Sequence, residues 1–254
     1  MNKIKNLILL IACVVCLLFM FGCKKEKGND KVNISSVETD KAITGSGGLE
    51  SEDNAYKSND INYTIKTKSI VTTNINVNYP QIVGYKDTEL QKKWNDIIKS
   101  KVESDMNYIG SRDTYYLSYE VKTQNEEMIS ILMLGESSNL SNDNKARAFK
   151  YTFNIDLETG TGIRLKDRID TDKLASNLLN GKKYSLVNAD DEKFKEYITL
   201  FYNKKELVDS LNEYDFGESF SYAKGYTFFE NGKIYLCMTV NESLGNCIEI
   251  LIDN

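Results

Sequence analysis

The sequence predicts an α+β protein with antiparallel sheets and helices packed on one face, arranged as two small modules that share a core. Three features favour this class: segments in which apolar and polar residues alternate, longer segments with apolar residues at helical spacing, and a Gly-rich hairpin turn between them. The strands occur in hairpin runs without a βαβ rhythm. A hydrophobic fraction of 41% is typical of a globular protein.

The first elements are a strand, a helix and a set of paired strands. Residues 61–79 alternate with period two and predict a strand that ends at Pro80. Thr88 and Gln91 then form a predicted capping box at the start of an amphipathic helix over residues 88–107. We expect further strands at residues 115–121, 128–134 and 149–157.

The second half begins with the hairpin turn Glu158–Gly162, after which a strand returns over residues 163–165. The remaining predicted elements are helices over residues 171–180 and 190–214, and strands at 226–229, 233–240 and 247–252.

The amino-terminal segment predicts export. Lys3 and Lys5 precede the unbroken apolar run 7–21, and Gly22 and Cys23 follow it. This is the layout of a signal peptide, and its Gly-Cys end is typical of a lipoprotein, although Met20 stands where Leu is usual. We expect residues 1–23 to be a lipoprotein signal peptide, lipidated at Cys23, that anchors the chain at the extracytoplasmic face of the cell membrane. The alternative is an uncleaved membrane anchor, for which the run is short.

Beyond the signal peptide the chain divides into a tether and two modules. Residues 24–60 are polar and of mixed charge, which predicts a disordered tether spanning roughly 35 Å r.m.s.. The predicted modules are residues 61–160 and residues 161–254.

Composition excludes several classes of function. With a formal net charge of -5, the chain lacks the excess of positive charge that is typical of a nucleic-acid-binding protein. The chain has no histidine, which excludes Ser-His-Asp catalysis and His-containing zinc sites. We therefore expect no catalytic residues, no metal, no cofactor and no nucleic-acid partner. The sequence does not predict the ligand-binding residues or the oligomeric state.

Two cysteines of the folded part form a candidate disulfide. Cys237 and Cys247 lie in neighbouring predicted strands, in an exported setting where disulfides persist. The alternation places both thiols away from the apolar face that contains Ile234, Leu236 and Met238. Whether they form a disulfide depends on the register of the two strands.

Two sets of polar side chains have both a functional and a structural interpretation. The first is the group of carboxylates Asp156, Glu158, Asp167, Asp170 and Asp172, which suits a hard cation or acid–base chemistry but equally suits turns and helix caps. The second is the large number of tyrosines, 16 in the chain, which suits a stacking surface for sugars or proteins but equally suits half-buried strands. The structural interpretation is favoured for both sets.

Several segments resemble a family of paired extracytoplasmic modules of unknown function. The resemblance rests on the strand ending in Tyr79-Pro80, the helix with Trp94, the segment Tyr151–Ile169 and the closing segment 225–240. The pair occurs in the anti-sigma factor RsiV, whose outer domain senses lysozyme, and ahead of the catalytic domain of the peptidoglycan deacetylase PdaC. Residues 142–147 lack the Gly-Gly-Ala-His stretch of that family, so no functional residue is carried over.

The resemblance implies a binding module whose ligand is a cell-wall fragment or an extracellular protein such as lysozyme. We expect the ligand to bind near the hairpin Glu158–Gly162 or the loop Ser137–Arg147, since loops on a rigid scaffold commonly carry specificity. The alternatives are a structural envelope lipoprotein without a specific ligand and a cell-wall hydrolase that uses carboxylates.

The lipid anchor is directly testable. Cys23→Ala removes the only thiol at the predicted cleavage site, so the variant should incorporate no labelled palmitate, while Cys13→Ala should be labelled like the wild type. Equal labelling of the Cys23→Ala variant, or no labelling of the wild type, would exclude a lipidated Cys23.

Overall fold

The computed structural model describes residues 61–110, 112–138, 146–187, 189–216 and 223–253, and confirms the α+β class. The described strands are β1 (Thr64–Val71), β2 (Ile75–Val83), β3 (Thr114–Gln124), β4 (Met128–Ser138), β5 (Ala146–Asp156), β6 (Tyr184–Val187), β7 (Gly225–Glu230), β8 (Lys233–Thr239) and β9 (Cys247–Ile252). The described helices are α1 (Thr88–Met106), α2 (Leu165–Arg168), α3 (Thr171–Leu179), α4 (Asp191–Phe201) and α5 (Lys204–Asn212). A 3₁₀ turn spans Glu242–Leu244.

The predicted signal peptide, Cys23 and the tether lie outside the described residues. Within the described part, no helix has the length and apolar character needed to cross a membrane. The division into modules 61–160 and 161–254 stays a prediction.

The first sheet has five strands in the order β1-β2-β3-β4-β5, and it is mixed. Strands β2 and β3 run parallel where Ile75–Val77 pairs with Tyr115–Leu117, so this one strand pair departs from the predicted antiparallel arrangement. The cause is α1, which buries Trp94, Ile98 and Val102 and returns the chain in the direction of β2, as a crossover helix does.

The cap of α1 also differs from the prediction. Asp87, not Thr88, is the N-cap residue, and its carboxylate accepts a hydrogen bond from Leu90 N–H at 2.9 Å. The Gln91 side chain instead accepts from Tyr85 N–H at 2.9 Å. The predicted Thr88–Gln91 capping box is therefore wrong, while the helix it was meant to start is present.

Pro80 lies inside β2, opposite Thr67, and does not end the strand. Ile82 N–H donates to the Asn95 side chain at 2.8 Å and Ile82 C=O accepts from it at 2.9 Å. Even-numbered residues of β2 thus turn their backbone groups away from β1. β3 pairs only with Ile75–Val77, so the side of β2 that faces away from β1 is an unpaired edge at Pro80. A proline, which has no backbone N–H, is tolerated at such an edge.

The second sheet is antiparallel, in the order β6-β9-β8-β7. One face, with Leu236 on β8 and Ile250 on β9, packs in one core with residues of α3, α4 and α5 such as Leu178, Ile198 and Leu211. The opposite face of the sheet turns toward the first sheet, where Leu132, Phe228 and Cys237 form a smaller cluster.

Three elements of this half differ from the sequence-based expectation. The expected helix over 190–214 is two helices, because Asn203 and Glu206 form a capping box that starts α5. The expected strand over 163–165 is reduced to a single bridge between Gly162 and Ile155, and Leu165 starts α2 instead. Strand β6 was not predicted.

The free edge of β7 lies on the first sheet, which satisfies its backbone polar groups with side chains. Asn154 donates to Thr227 C=O at 2.8 Å. Ser130 accepts from Phe229 N–H at 2.9 Å, and Thr123 donates to Phe229 C=O at 2.6 Å. Since an unpaired buried polar group costs about 1–3 kcal/mol, these bonds fix β7 at one position against β4 and β5.

Asp215 extends this network and is buried. One carboxylate oxygen accepts from Thr227 N–H at 2.6 Å and the other from Leu165 N–H at 2.9 Å. The hydroxyls of Thr227 and Thr152 also donate to the carboxylate, at 2.7 and 3.4 Å. Burial raises the pKa of Asp215 to about 7, and these hydrogen bonds only partly offset that rise.

The raised pKa of Asp215 predicts a pH-dependent stability. The folded protein keeps a proton on Asp215 that the unfolded chain releases near its ordinary pKa of 3.8, so this contribution is complete below about pH 4 and is lost as the pH rises toward 7. At about 1.4 kcal/mol per pKa unit, the loss approaches about 4 kcal/mol.

Asp215→Asn should flatten this decline in the free energy of unfolding between pH 4 and pH 7, measured by urea denaturation. Asn suits the positive φ of 63° at this position. Asp253→Asn, which changes an exposed carboxylate, is the matched control and should keep the wild-type profile. A wild-type profile in the Asp215→Asn variant would show that Asp215 is not the group responsible.

Candidate functional site: a cleft along the edge of β5

A cleft of about 540 Å³ runs along the outer edge of β5, between the carboxyl-terminal half of α1 and the second sheet. Five consecutive residues of β5, Arg147–Tyr151, line it. Lys101 and Asp105 of α1 contribute to one wall, and Cys237 and Cys247 of the second sheet contribute to the opposite wall. The volume is in the range of small-ligand sites, about 300–1,000 Å³.

The wall beside α1 is a stack of aromatic rings. The Phe149 ring stacks on Tyr115 with a centroid distance of 5.7 Å and lies parallel to Tyr151 at 6.3 Å. Gly135 on β4 makes room for it, because a Cβ at that position would lie 2.0 Å from the Phe149 ring. A glycine inside a strand often marks such a close approach, and this one sets the depth of the aromatic wall.

A cation and a carboxylate stand over these rings. Lys101 Nζ lies 2.5 Å from Asp105 Oδ1, four residues along α1, and 4.5 Å from the centroid of the Tyr151 ring. It also lies 5.7 Å from the Phe216 ring. The pair is more than three-quarters buried, so its electrostatic field inside the cleft is screened less by solvent than that of a surface pair.

The Tyr151 hydroxyl is a buried donor without a partner. Tyr151 is 3% exposed, and its oxygen lies beside Asp105 and Tyr115 without a hydrogen bond of acceptable geometry to either. Burial raises the pKa of Tyr151 well above its ordinary value, so the hydroxyl keeps its proton. In the described part of the chain it is the only buried side-chain oxygen or nitrogen without a partner, and such groups call for a water or ligand.

The opposite wall contains two free thiols, Cys237 and Cys247. As predicted, Cys237 points away from the core that contains Leu236. A hydrogen bond between the thiols lowers the pKa of Cys247, and the Lys150 ammonium lowers it further. The same hydrogen bond and burial raise the pKa of Cys237. Lys150 is in turn paired with Glu249 on β9, so an ion pair joins β5 to the second sheet beside the thiols.

Four of the five carboxylates near the Gly160 turn have structural roles, the fifth, Glu158, is exposed, and all five lie outside the cleft. Asp156 accepts from the backbone N–H groups of Glu158 and Thr159, at 3.0 and 2.8 Å, and Asp170 caps α3. Among the other carboxylates of the group, Asp167 accepts from Arg164 N–H and Asp172 pairs with Lys204. Among the described residues, no three or more His, Cys, Asp or Glu side chains lie close enough to hold a metal ion.

The two regions in which we expected a ligand differ in their relation to the cleft. Ser137 and Arg147, which flank the loop between β4 and β5, line it, whereas residues 139–145 of that loop lie outside the described residues. The hairpin Glu158–Gly162 lies at the other end of α1, where Gly160 C=O accepts from Trp94 at 3.3 Å. Ligand binding at either region stays a prediction.

Sequence reasoning did not single out Lys101, Asp105 or Tyr151. The usable signal was Gly135, a glycine inside β4 that directly follows its apolar run, since a glycine within a strand often marks a close approach.

The thiol pair makes the candidate disulfide testable. Treatment with oxidised glutathione should let the Cys247 thiolate attack the glutathione disulfide and release one glutathione, after which the Cys237 thiol displaces the second and forms the Cys237–Cys247 bond. Peptide mapping by mass spectrometry should find this bond in the wild type and a stable glutathione adduct on Cys247 in Cys237→Ser. If both wild-type thiols remain open to alkylation after treatment, the pair does not form a disulfide.

No protein-family model matches the sequence, and no curated protein matches it either. The solved structures similar to this chain include two crystal structures of DUF3298 family proteins. A member of the DUF3298 family from Bacteroides fragilis is 12% identical, with 57% of this chain and 67% of that chain covered and a TM-score of 0.33. A DUF3298 family protein from Pseudomonas aeruginosa is 11% identical, with 75% and 88% covered and a TM-score of 0.37. Likenesses this distant carry no argument about what the chain binds.

Proposed function

We propose that this protein is a lipid-anchored extracytoplasmic lipoprotein whose folded part binds, without catalysis, a cell-wall fragment or an extracellular protein such as lysozyme. The observation that supports binding most is the cleft of about 540 Å³, whose wall combines aromatic rings with the Lys101–Asp105 pair. The anchor rests on the signal sequence and Cys23.

The chemistry of the cleft suits a ligand that has both apolar and polar groups. The stacked rings of Tyr115 and Phe149 offer flat apolar surface to sugar rings or to apolar side chains. The Lys101–Asp105 pair offers a cation and an acceptor within one wall, and the buried Tyr151 hydroxyl lies beside Asp105. A few polar groups placed on an apolar wall are typical of sites that orient a ligand.

The Tyr151 hydroxyl provides the test. Tyr151→Phe deletes only this oxygen, and because it has no partner in the free protein, the variant should unfold at the same temperature as the wild type or a higher one. If a ligand accepts a hydrogen bond from this hydroxyl, its affinity should fall about two- to tenfold. Isothermal titration calorimetry of the full-length chain with lysozyme and with muropeptides measures this.

Tyr116→Phe is the matched control, because Tyr116 is 47% exposed and lies outside the cleft; it should leave affinity unchanged. Equal loss in both variants, or none in Tyr151→Phe, would remove the cleft as the ligand site. No binding of any ligand would favour a structural envelope role, and turnover of a wall substrate in a parallel assay would overturn the non-catalytic assignment.

A further inference from the structure

The amino-terminal half of β5 presents a backbone edge to the cleft. β5 is the last strand of the five-stranded sheet, and the only described strand that pairs with it is β4. A cleft on the face of a sheet is lined by alternate residues, whereas this one is lined by the consecutive residues Arg147–Tyr151. Consecutive lining means that the cleft meets the strand edge-on.

Hydrogen bonds at the carboxyl-terminal end of β5 show in which direction the backbone groups on this edge point. Asp156 N–H donates to Thr161 C=O at 2.9 Å, and Asn154 C=O accepts from Ile163 N–H at 2.8 Å. Even-numbered residues of β5 therefore turn their backbone groups away from β4. The pairing with β4 has no register shift, so Ala148 and Lys150 also turn theirs outward, and no backbone partner for these groups exists among the described residues.

The opposite edge of the same sheet differs in its side chains. β1 carries Lys66 and Lys68, and lysines on an edge strand discourage further strand pairing. On β5 the corresponding cations are Arg147 and Lys150. Lys150 is bound to Glu249 of β9, which draws its ammonium to one wall. The exposed half of β5 also has neither proline nor bulge.

We propose that the cleft binds an extended polypeptide segment of a partner protein, which adds as a strand to the edge of β5 and pairs with Ala148 and Lys150. Five residues of β5 offer about 17 Å of edge, at about 3.4 Å per residue. Backbone hydrogen bonds provide affinity in strand addition, and pockets for alternate side chains provide specificity. This proposal rests on the proposed function. Of the ligand classes named there, it favours a protein over a glycan.

The two walls predict the character of that segment. Side chains on one face of the added strand meet the rings of Phe149 and Tyr151 beneath Lys101, which favours apolar or aromatic residues. Side chains on the other face meet the thiols and the Lys150–Glu249 pair, which favours small or polar residues. The recognised segment therefore alternates in polarity with period two.

The probe is a phage-displayed library of random linear peptides of about 12 residues, selected on the full-length chain in detergent. Selected peptides should alternate as described and bind about tenfold more weakly to Ala148→Pro, which lacks the outward N–H at a position where an edge strand tolerates proline. Ala148→Val keeps the N–H and should bind within about twofold of the wild type.

A second measurement uses wild-type protein and does not depend on how the proline variant folds. N-methylation of the selected peptide at alternate residues should abolish binding at one parity and spare it at the other, since only every second N–H of an added strand faces β5. Equal effects at both parities, equal binding to the two Ala148 variants when both are folded, or the selection of no peptide would overturn strand addition. If lysozyme or muropeptides bind and lose affinity in Tyr151→Phe but not in Ala148→Pro, the cleft is a ligand site that does not act by strand addition.

Discussion

Hydrogen bonds between the free edge of β7 and buried polar side chains determine how the two sheets meet. Ser130, Asn154 and Asp215 are buried and form hydrogen bonds with the backbone of β7. Their hydrogen bonds to the β7 backbone have directional geometry that apolar contacts lack. The network holds β7 against the carboxyl-terminal half of β5, and the amino-terminal half of β5 is therefore left facing a cleft instead of a strand.

The cleft walls are rigid where they carry polar groups. Tyr151 lies on a central part of β5, and Lys101 and Asp105 lie on a helix packed on the same sheet through Ile98 and Val102. Gly135 fixes the neighbouring Phe149 ring from below. Groups held in place before binding lose little conformational entropy when a ligand arrives, so a ligand that fits this wall would bind at a low entropic cost.

The amino-acid sequence predicts the strands well and the contacts between the sheets poorly. Period-two alternation identifies β5, β8 and β9 and the side of β8 on which Cys237 lies, because each of these strands has one face in an apolar core. The sequence around Ser130, a serine inside an apolar run, does not reveal that this side chain is buried. Nor does it reveal that its partner is Phe229, 99 residues away. The apolar stripe of the predicted 190–214 helix continues across the break at Asn203, so spacing alone does not reveal the cap.

We propose that the ligand occupies the cleft along β5. Hydrogen–deuterium exchange of the full-length chain, compared without ligand and with saturating lysozyme or muropeptide, tests it most directly. With ligand bound we expect slower exchange in peptides that cover Ala146–Asp156 and the last turns of α1, with little change around the exposed Leu200 and Phe201. Protection at that exposed surface without protection of β5, or unchanged exchange throughout, would contradict it.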